Sequence, residues 1–368
     1  MAIQTKAYAL YKQYIPFIIL LSTFVALPAL AEKTNYAELK RGDVINVNLD
    51  QLLPTQAVIS LDEEYYNLGR YAEDLKTMYN DLCRVNGAKG IKKWDKDSNP
   101  TNISTYSCQA KQGENIDALP SVIIGPEDGE LFLIDHHNIL STFWDMPNGG
   151  TSVPITLKVE YNLLGSGDDF WPELLNDHEV WLYNNKGKKI KPSALPQYIG
   201  SKQLKHDKYF SLAYFLNGIA YDMPDENKVP YVKLNWSRVL REKMDIGDYN
   251  LNNLDEYATA LTSAATIITD LKSDTVIGRS SKTAKEMGQK SSVDTKALEN
   301  LLTNEKSTWH YAMAYRLAKK EKATPKNIED ENNNKEDDAS NKKESKKKES
   351  KKKDKPNSIN ETDKVKAE

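Results

Sequence analysis

The stretch that most constrains this chain covers residues 120–144, PSVIIGPEDGELFLIDHHNILSTFW. The apolar run 121–124, the turn Gly125-Pro126-Glu127-Asp128-Gly129 and the apolar run 131–134 predict a strand, a turn and a return strand. Asp135-His136-His137 comes next, and Ile139, Leu140, Phe143 and Trp144 then have the spacing of one helical face. A histidine pair therefore stands where a strand passes into a helix. The first N–H groups of a helix are unpaired there and attract anions such as phosphate. A histidine at that point can serve as general acid or base near neutral pH, or contact a phosphate. Asp135 could cap the helix, orient a histidine or bind a divalent cation. The structural alternative is that Asp135 is only the N-cap and one histidine is a packed core residue. Adjacent helical residues point about 100° apart, so a regular helix does not aim both histidines at one metal.

Both ends of the chain look extraneous to this core. Residues 1–31 carry Lys6 and Lys12, an apolar run over 15–27, and Ala29-Leu30-Ala31. A basic start, an apolar middle and small residues at −3 and −1 make a cleavable secretory signal, with cleavage after Ala31. The alternative is an uncleaved anchor, but the run is short of the about 20 residues a span needs, so the mature chain is expected to carry no transmembrane span. Export to the periplasm or beyond a bacterial cell predicts a disulfide between Cys83 and Cys108, the two cysteines of the chain. Closing that loop stabilises by about 3 kcal/mol on the chain-entropy model. Neither cysteine lies in a CxxC motif or beside a histidine, which argues against a reactive thiol. From residue 321 onward lysines and acidic residues alternate with almost no large apolar side chains, so the segment cannot bury enough surface to order itself. Its part 342–355 is locally basic.

Between these ends the chain alternates short strands and helices. Residues 44–47 and 57–59 read as extended, with Pro54 excluding a helix interior between them. Ser60 or Asp62 can cap a helix whose apolar stripe Tyr66, Tyr71, Leu75, Met78, Tyr79 and Leu82 continues to about Cys83. Residues 84–118 are a polar surface insertion. Residues 153–163 alternate as a strand, 168–177 form a short helix, and 180–183 another strand. Helices are expected over 207–218, 232–244 and 254–271, a linker over 272–294, and one long helix over 294–322. That last helix either docks on the core or pairs with a partner. Asp177-His178 and His206-Asp207 read as surface pairs at helix ends.

The ordered landmarks resemble the ParB-like nuclease family, within the ParB/sulfiredoxin superfamily. Leu53-Pro54-Thr55-Gln56 resembles the family's early PTQ motif, and the strand, turn and Asp135-His136-His137 resemble its signature. Phe170-Trp171, Leu195-Pro196, residues 207–213 and residues 236–241 resemble later landmarks. The likeness spans about residues 44–245. It implies an α/β (α+β) fold, a ParB/sulfiredoxin-like small mixed sheet with packed helices, followed by a helical C-terminal extension and a disordered tail. The expected layout is a signal peptide over 1–31, the ParB-like domain over 32–245, a helical extension with linker over 246–322 and a charged tail over 323–368. Residues 135–138 carry no cysteine and no arginine, which argues against sulfinic reductase chemistry. No GERR-type box is present, which argues against a nucleotide-driven DNA clamp. Phe210 stands where the family usually has an arginine.

The resemblance makes Asp135, His136 and His137 the candidate catalytic residues of a nuclease or phosphodiester hydrolase. Thr55, Gln56, Tyr209 and Ser211 are the candidate substrate-binding residues, and Asp135 and His137 the candidate ligands for a divalent metal such as Mg2+ or Mn2+. Expected partners are nucleic acid or a nucleotide, and a protein partner through the C-terminal helix. The competing reading is a non-catalytic nucleotide- or protein-binding module of the bacterial envelope. A formal net charge of −3 argues mildly against a large duplex-binding surface, since phosphate contacts supply most non-specific affinity.

Overall fold

A computed structural model describes residues 35–177, 179–224 and 229–323. The proposed leader, His178 and the charged tail beyond 323 lie outside the described residues. In chain order the elements are β1 (Val44–Asn48), β2 (Leu52–Pro54), β3 (Val58–Ile59), α1 (Leu61–Glu73) and α2 (Leu75–Val85). The polar insertion then holds β4 (Ile91–Lys93) and β5 (Ser107–Cys108). Next come β6 (Ser121–Ile124), β7 (Leu131–Leu133), α3 (His137–Asp145), β8 (Pro154–Asn162) and α4 (Phe170–Asn176). The chain closes with β9 (Lys205–His206), α5 (Lys208–Phe215), α6 (Val232–Lys243), α7 (Leu254–Thr269), α8 (Thr295–Thr303) and α9 (Thr308–Ala323).

The principal sheet is mixed, in the order β1-β8-β6-β7-β2. β6 and β7 form the expected antiparallel hairpin, with Ile123 opposite Phe132. β6 runs parallel to β8, and β2 parallel to β7. Side chains alternate across such a sheet, so each strand feeds two cores. Val122, Ile124, Leu131, Leu133, Leu157 and Val159 face the main core beneath α1, α2 and α3. Ile123, Phe132 and Ile134 face a smaller core with Phe170, Leu174, Val180 and Leu182. Burying one such side chain contributes about 1.5–3 kcal/mol, so both faces of the hairpin are fixed.

The helix expected to run to Cys83 is two helices. Ser60 caps α1 by accepting from the N–H of Glu63. The chain then breaks at Asp74, which turns extended and caps α2 through the N–H of Lys76. Leu75, counted in the predicted stripe, is exposed. Cys83 on α2 is bonded to Cys108 on β5 with Cα atoms 5.5 Å apart, which pins the polar insertion to the body.

The C-terminal part also differs from its reading. Residues 272–294, polar in sequence, bury Ile277, Ala284 and Met287 completely, and the Trp236 indole N–H donates to the Met287 carbonyl. Residues 180–183 pair only through isolated bridges, Gln56 with Trp181 and Tyr183 with Lys189. The predicted long helix over 294–322 splits into α8 and α9, because Ser307 caps the second by accepting from the N–H of His310. Of the two fates open to that helix, docking is the one observed: α9 lies along α1. Gly69 makes this possible, since a Cβ there would stand 2.5 Å from the Tyr311 carbonyl oxygen. Trp309 plugs between α5 and α7, with its ring 5.4 Å from Phe215 and 4.8 Å from Tyr257. Arg316 pairs with the fully buried Asp62, whose other oxygen accepts from Tyr257 Oη at 2.7 Å. Among the described residues no helix is long and apolar enough to cross a membrane.

Candidate functional site

β7 hands over to α3 through a single left-handed residue. His136 has φ +54 and is the residue before the helix, with no side-chain capping bond. Histidine is among the few non-glycine types that visit this region at modest cost. Asp135 is therefore not the cap. Its Oδ1 instead accepts from the Ser121 N–H at 2.8 Å and lies 2.8 Å from Nδ1 of His136. Burial pushes the Asp135 carboxyl up, but the adjacent His136 and the Ser121 hydrogen bond outweigh it and leave the group below the usual carboxylate range.

After the left-handed step the two histidines differ in burial. The His136 side chain is 31% exposed. His137 is buried, and its Nε2 accepts from the Thr55 N–H at 3.3 Å. Burial drives its pKa down to about 3, with His136 adding to the effect and Asp135 opposing it. A neutral imidazole accepting at Nε2 carries its proton on Nδ1. Thr55 completes the arrangement. Its Oγ1 donates to the Leu133 carbonyl at 2.7 Å and lies 2.8 Å from the Tyr231 hydroxyl.

Two residues of this region were not anticipated. Tyr231 opens α6 with φ +54, and its hydroxyl also reaches the Glu179 carbonyl at 3.0 Å. Burial keeps that hydroxyl far above its ordinary pKa, hence protonated. Thr55 in turn accepts from the Trp181 N–H at 2.9 Å, so residues 179–181 are laid beside the signature loop. Glu179 consequently sits within the field of Asp135. Burial first, then Asp135, Glu160 and Asp177, raise its pKa to about 7, against the opposing pull of Arg41. The available signal was a glutamate at the start of the apolar run 180–183, but nothing in the sequence placed it against Asp135.

The other candidates are spread out. Gln56 is buried and donates to the Val58 carbonyl at 2.6 Å, so its amide serves the backbone of β3. The Tyr209 hydroxyl donates to the Met244 carbonyl and accepts from the Ile246 N–H, both at 3.0 Å, which ties α5 to the end of α6. Ser211, on α5, packs against the cap of α1, with Oγ 3.2 Å from Ser60 Oγ and 3.1 Å from Nε2 of His206. His206-Asp207 is not a surface pair: Asp207 is buried, caps α5 and pairs with Arg241 at 2.6 Å. Burial lowers the His206 pKa to about 4. The structure thus brings together Thr55, Asp135, His136 and His137, and leaves Gln56, Tyr209 and Ser211 in their own local networks. Among the described residues no three His, Cys, Asp or Glu side chains gather where they could hold one metal ion.

No curated protein matches the chain. Among solved structures it is similar to protein Atu1540 from Agrobacterium tumefaciens, at 17% identity and a TM-score of 0.44. The match covers 64% of this chain and 97% of that one. The family model described as "Putative ParB-like nuclease" matches residues 45–242, more than half of the chain, and takes in Thr55, the Asp135-His136-His137 loop and Tyr231. The chain belongs to this ParB-like nuclease family.

Proposed function

We propose that the chain is a phosphodiester hydrolase whose acid–base centre is the Asp135–His136 pair together with Glu179. The observation that carries this reading is the 2.8 Å contact between Asp135 Oδ1 and His136 Nδ1 at the opening of α3. A carboxylate on Nδ1 fixes the imidazole tautomer and raises the basicity of the ring, as a general base requires. His136 takes a proton from the attacking water as the new P–O bond forms. Glu179, protonated up to about pH 7, gives its proton to the leaving oxygen as the ester bond breaks. The unpaired N–H groups at the start of α3 face developing negative charge on the phosphoryl oxygens. His137 is the positioning residue, holding Thr55 and the loop from behind.

The test is hydrolysis of bis(p-nitrophenyl) phosphate and of single-stranded RNA and DNA, each with and without Mg2+ or Mn2+. Wild-type protein cleaves at least one of these, and His136→Ala and Asp135→Asn lose about 100-fold or more in rate. Equal rates in wild type and both variants would leave the competing reading, a binding module.

Export belongs to the same proposal. It is supported by the bonded Cys83–Cys108 pair and by the leader pattern in residues 1–31, since such bonds persist in oxidising compartments. Periplasmic protein beginning at Glu32, with no free thiol, is the expected finding. Full-length protein with two free thiols would defeat it.

A further inference from the structure

A cavity of about 270 Å³, linked to the signature loop through Tyr231 and Thr55, has walls from two parts of the chain. Trp181, Pro230 and Tyr231 belong to the family-matched region. Arg279, Ser280, Ser281 and Lys282 come from the C-terminal extension, beyond that match. The aromatic side has the Trp181 and Tyr231 rings 5.9 Å apart, with Tyr183 a further 5.4 Å from Trp181. The rest of the lining is a tight loop that folds back on itself. Ile277 N–H donates to the Lys282 carbonyl at 2.8 Å, Arg279 N–H donates to Asn235 Oδ1 at 2.7 Å, and Ser281 is left-handed at φ +55. Ile277, wholly buried, anchors that loop in the body.

The charge arrangement gives the cavity its preference. Among the described residues Arg279 has no carboxylate partner, and its guanidinium stands 5.5 Å from the Tyr183 ring. Arg238 stands over the same ring at 4.9 Å but is paired with Glu242. Among the described residues Lys282 has a single, distant carboxylate contact, 4.0 Å to the exposed Glu286. An arginine held on an aromatic face and free of carboxylates is a ready partner for phosphate oxygens. Trp181, 6% exposed, and the half-buried Tyr231 give the lining an aromatic part against which a planar base packs. The volume lies below the roughly 300–1,000 Å³ of ordinary small-molecule sites, which limits the occupant to a single unit rather than a duplex.

We propose that this cavity binds one nucleotide unit, its base against Trp181 and Tyr231 and its phosphate on Arg279 and Lys282. The extension thereby supplies a substrate subsite that the family-matched region alone does not contain. Tyr231 connects it to the hydrolytic centre, because one side of that residue lines the cavity while its hydroxyl holds Thr55 and the Glu179 carbonyl. The inference deepens the hydrolase reading by naming a subsite, but its binding step does not depend on catalysis.

Equilibrium binding of AMP, adenosine and inorganic phosphate to the full chain tests it, using His136→Ala protein so that turnover does not interfere. AMP binds more tightly than either adenosine or phosphate. Arg279→Ala raises the AMP Kd roughly tenfold or more and leaves adenosine unchanged, the expected loss of a charge-assisted bond. Arg279→Lys restores part of it, and Trp181→Leu weakens AMP and adenosine alike. No AMP binding at millimolar concentration, or an AMP Kd indifferent to Arg279→Ala in protein with an unchanged melting temperature, overturns the proposal. Hydrolysis of bis(p-nitrophenyl) phosphate by wild type separates the two ideas. If it persists while AMP fails to bind, the subsite is wrong and the hydrolase stands; if AMP binds and no ester is cleaved, the reverse holds.

Discussion

The Thr55 N–H and Nε2 of His137 meet at 3.3 Å across 82 positions of sequence. That contact sets the two neighbouring histidines apart. His137 is an acceptor locked behind the loop, and His136 is the histidine that reaches the surface. The same N–H is shared with the Leu133 carbonyl, also at 3.3 Å, so β2, β7 and α3 converge on one threonine.

Replacing His137 removes a buried ring and its hydrogen bond, so His137→Ala is expected to cost about 2–3 kcal/mol in urea unfolding. The pH dependence is more specific. The folded pKa of about 3 lies below the unfolded value near 6.5, so the unfolded chain takes protons first on acidification. Stability present above pH 6.5 is lost as the pH falls toward 3. His206, lowered to about 4, acts in the same direction. Wild type therefore loses more stability between pH 7 and pH 4 than His137→Gln does. Parallel losses in the two proteins would show that His137 titrates normally.

Glu179 has the opposite sign. Its folded pKa of about 7 exceeds the ordinary glutamate value of 4.5, so its contribution is fully present below 4.5 and is lost as the pH rises through 7. Glu179→Gln does not ionise, so its stability falls less than that of wild type between pH 5 and pH 8. In the hydrolase assay the variant loses about 100-fold in rate and also the alkaline limb near pH 7. An alkaline limb unchanged in the variant would assign that titration to another group.

The hairpin over residues 121–134 was legible because its alternation and its turn glycines are local signals. For Asp135 the sequence left three roles open, as cap, histidine partner or cation ligand, and the left-handed His136 at the cap position is what removes the first. What was hidden depends on distant chain. Glu179 gains its character from Asp135 and Glu160, on other elements, and no local pattern predicts that field. The break at Asp74 was missed because Tyr71 and Leu75 keep helical spacing across it, while the capping aspartate competes with the period. Residues 272–294 looked like a linker because Ile277, Ala284 and Met287 are isolated apolar residues with no period to read. Gln56, Tyr209 and Ser211 were placed by family order alone, and each has a backbone or hydroxyl partner that accounts for its burial.

Arg316 reaches from α9 to Asp62, which is wholly buried. Truncating one partner of such a pair leaves an uncompensated charge, and typically costs about 3–5 kcal/mol. Arg316→Met is expected to fall in that range in urea unfolding. Asp62→Asn with Arg316→Met recovers much of the loss, because Tyr257 Oη can still bond the amide oxygen. A double variant as unstable as the sum of the two single ones would mean that the pair contributes through packing rather than charge.

Gly69→Ala separates helix propensity from close packing. In an exposed helix interior alanine is favoured over glycine by about 1 kcal/mol. Here the new Cβ would stand 2.5 Å from the Tyr311 carbonyl oxygen and 3.1 Å from its carbon, both backbone atoms that cannot turn aside. The helices must separate, and separation loosens the Trp309 plug and the Arg316–Asp62 pair, which both depend on α9 lying flat. The substitution is therefore destabilising despite its favourable propensity. Amide exchange should quicken across α9 first and reach α3 and the sheet least, because those elements pack on the other sides of α1. A gain in melting temperature with unchanged exchange over α9 would mean that the two helices do not approach this closely in solution.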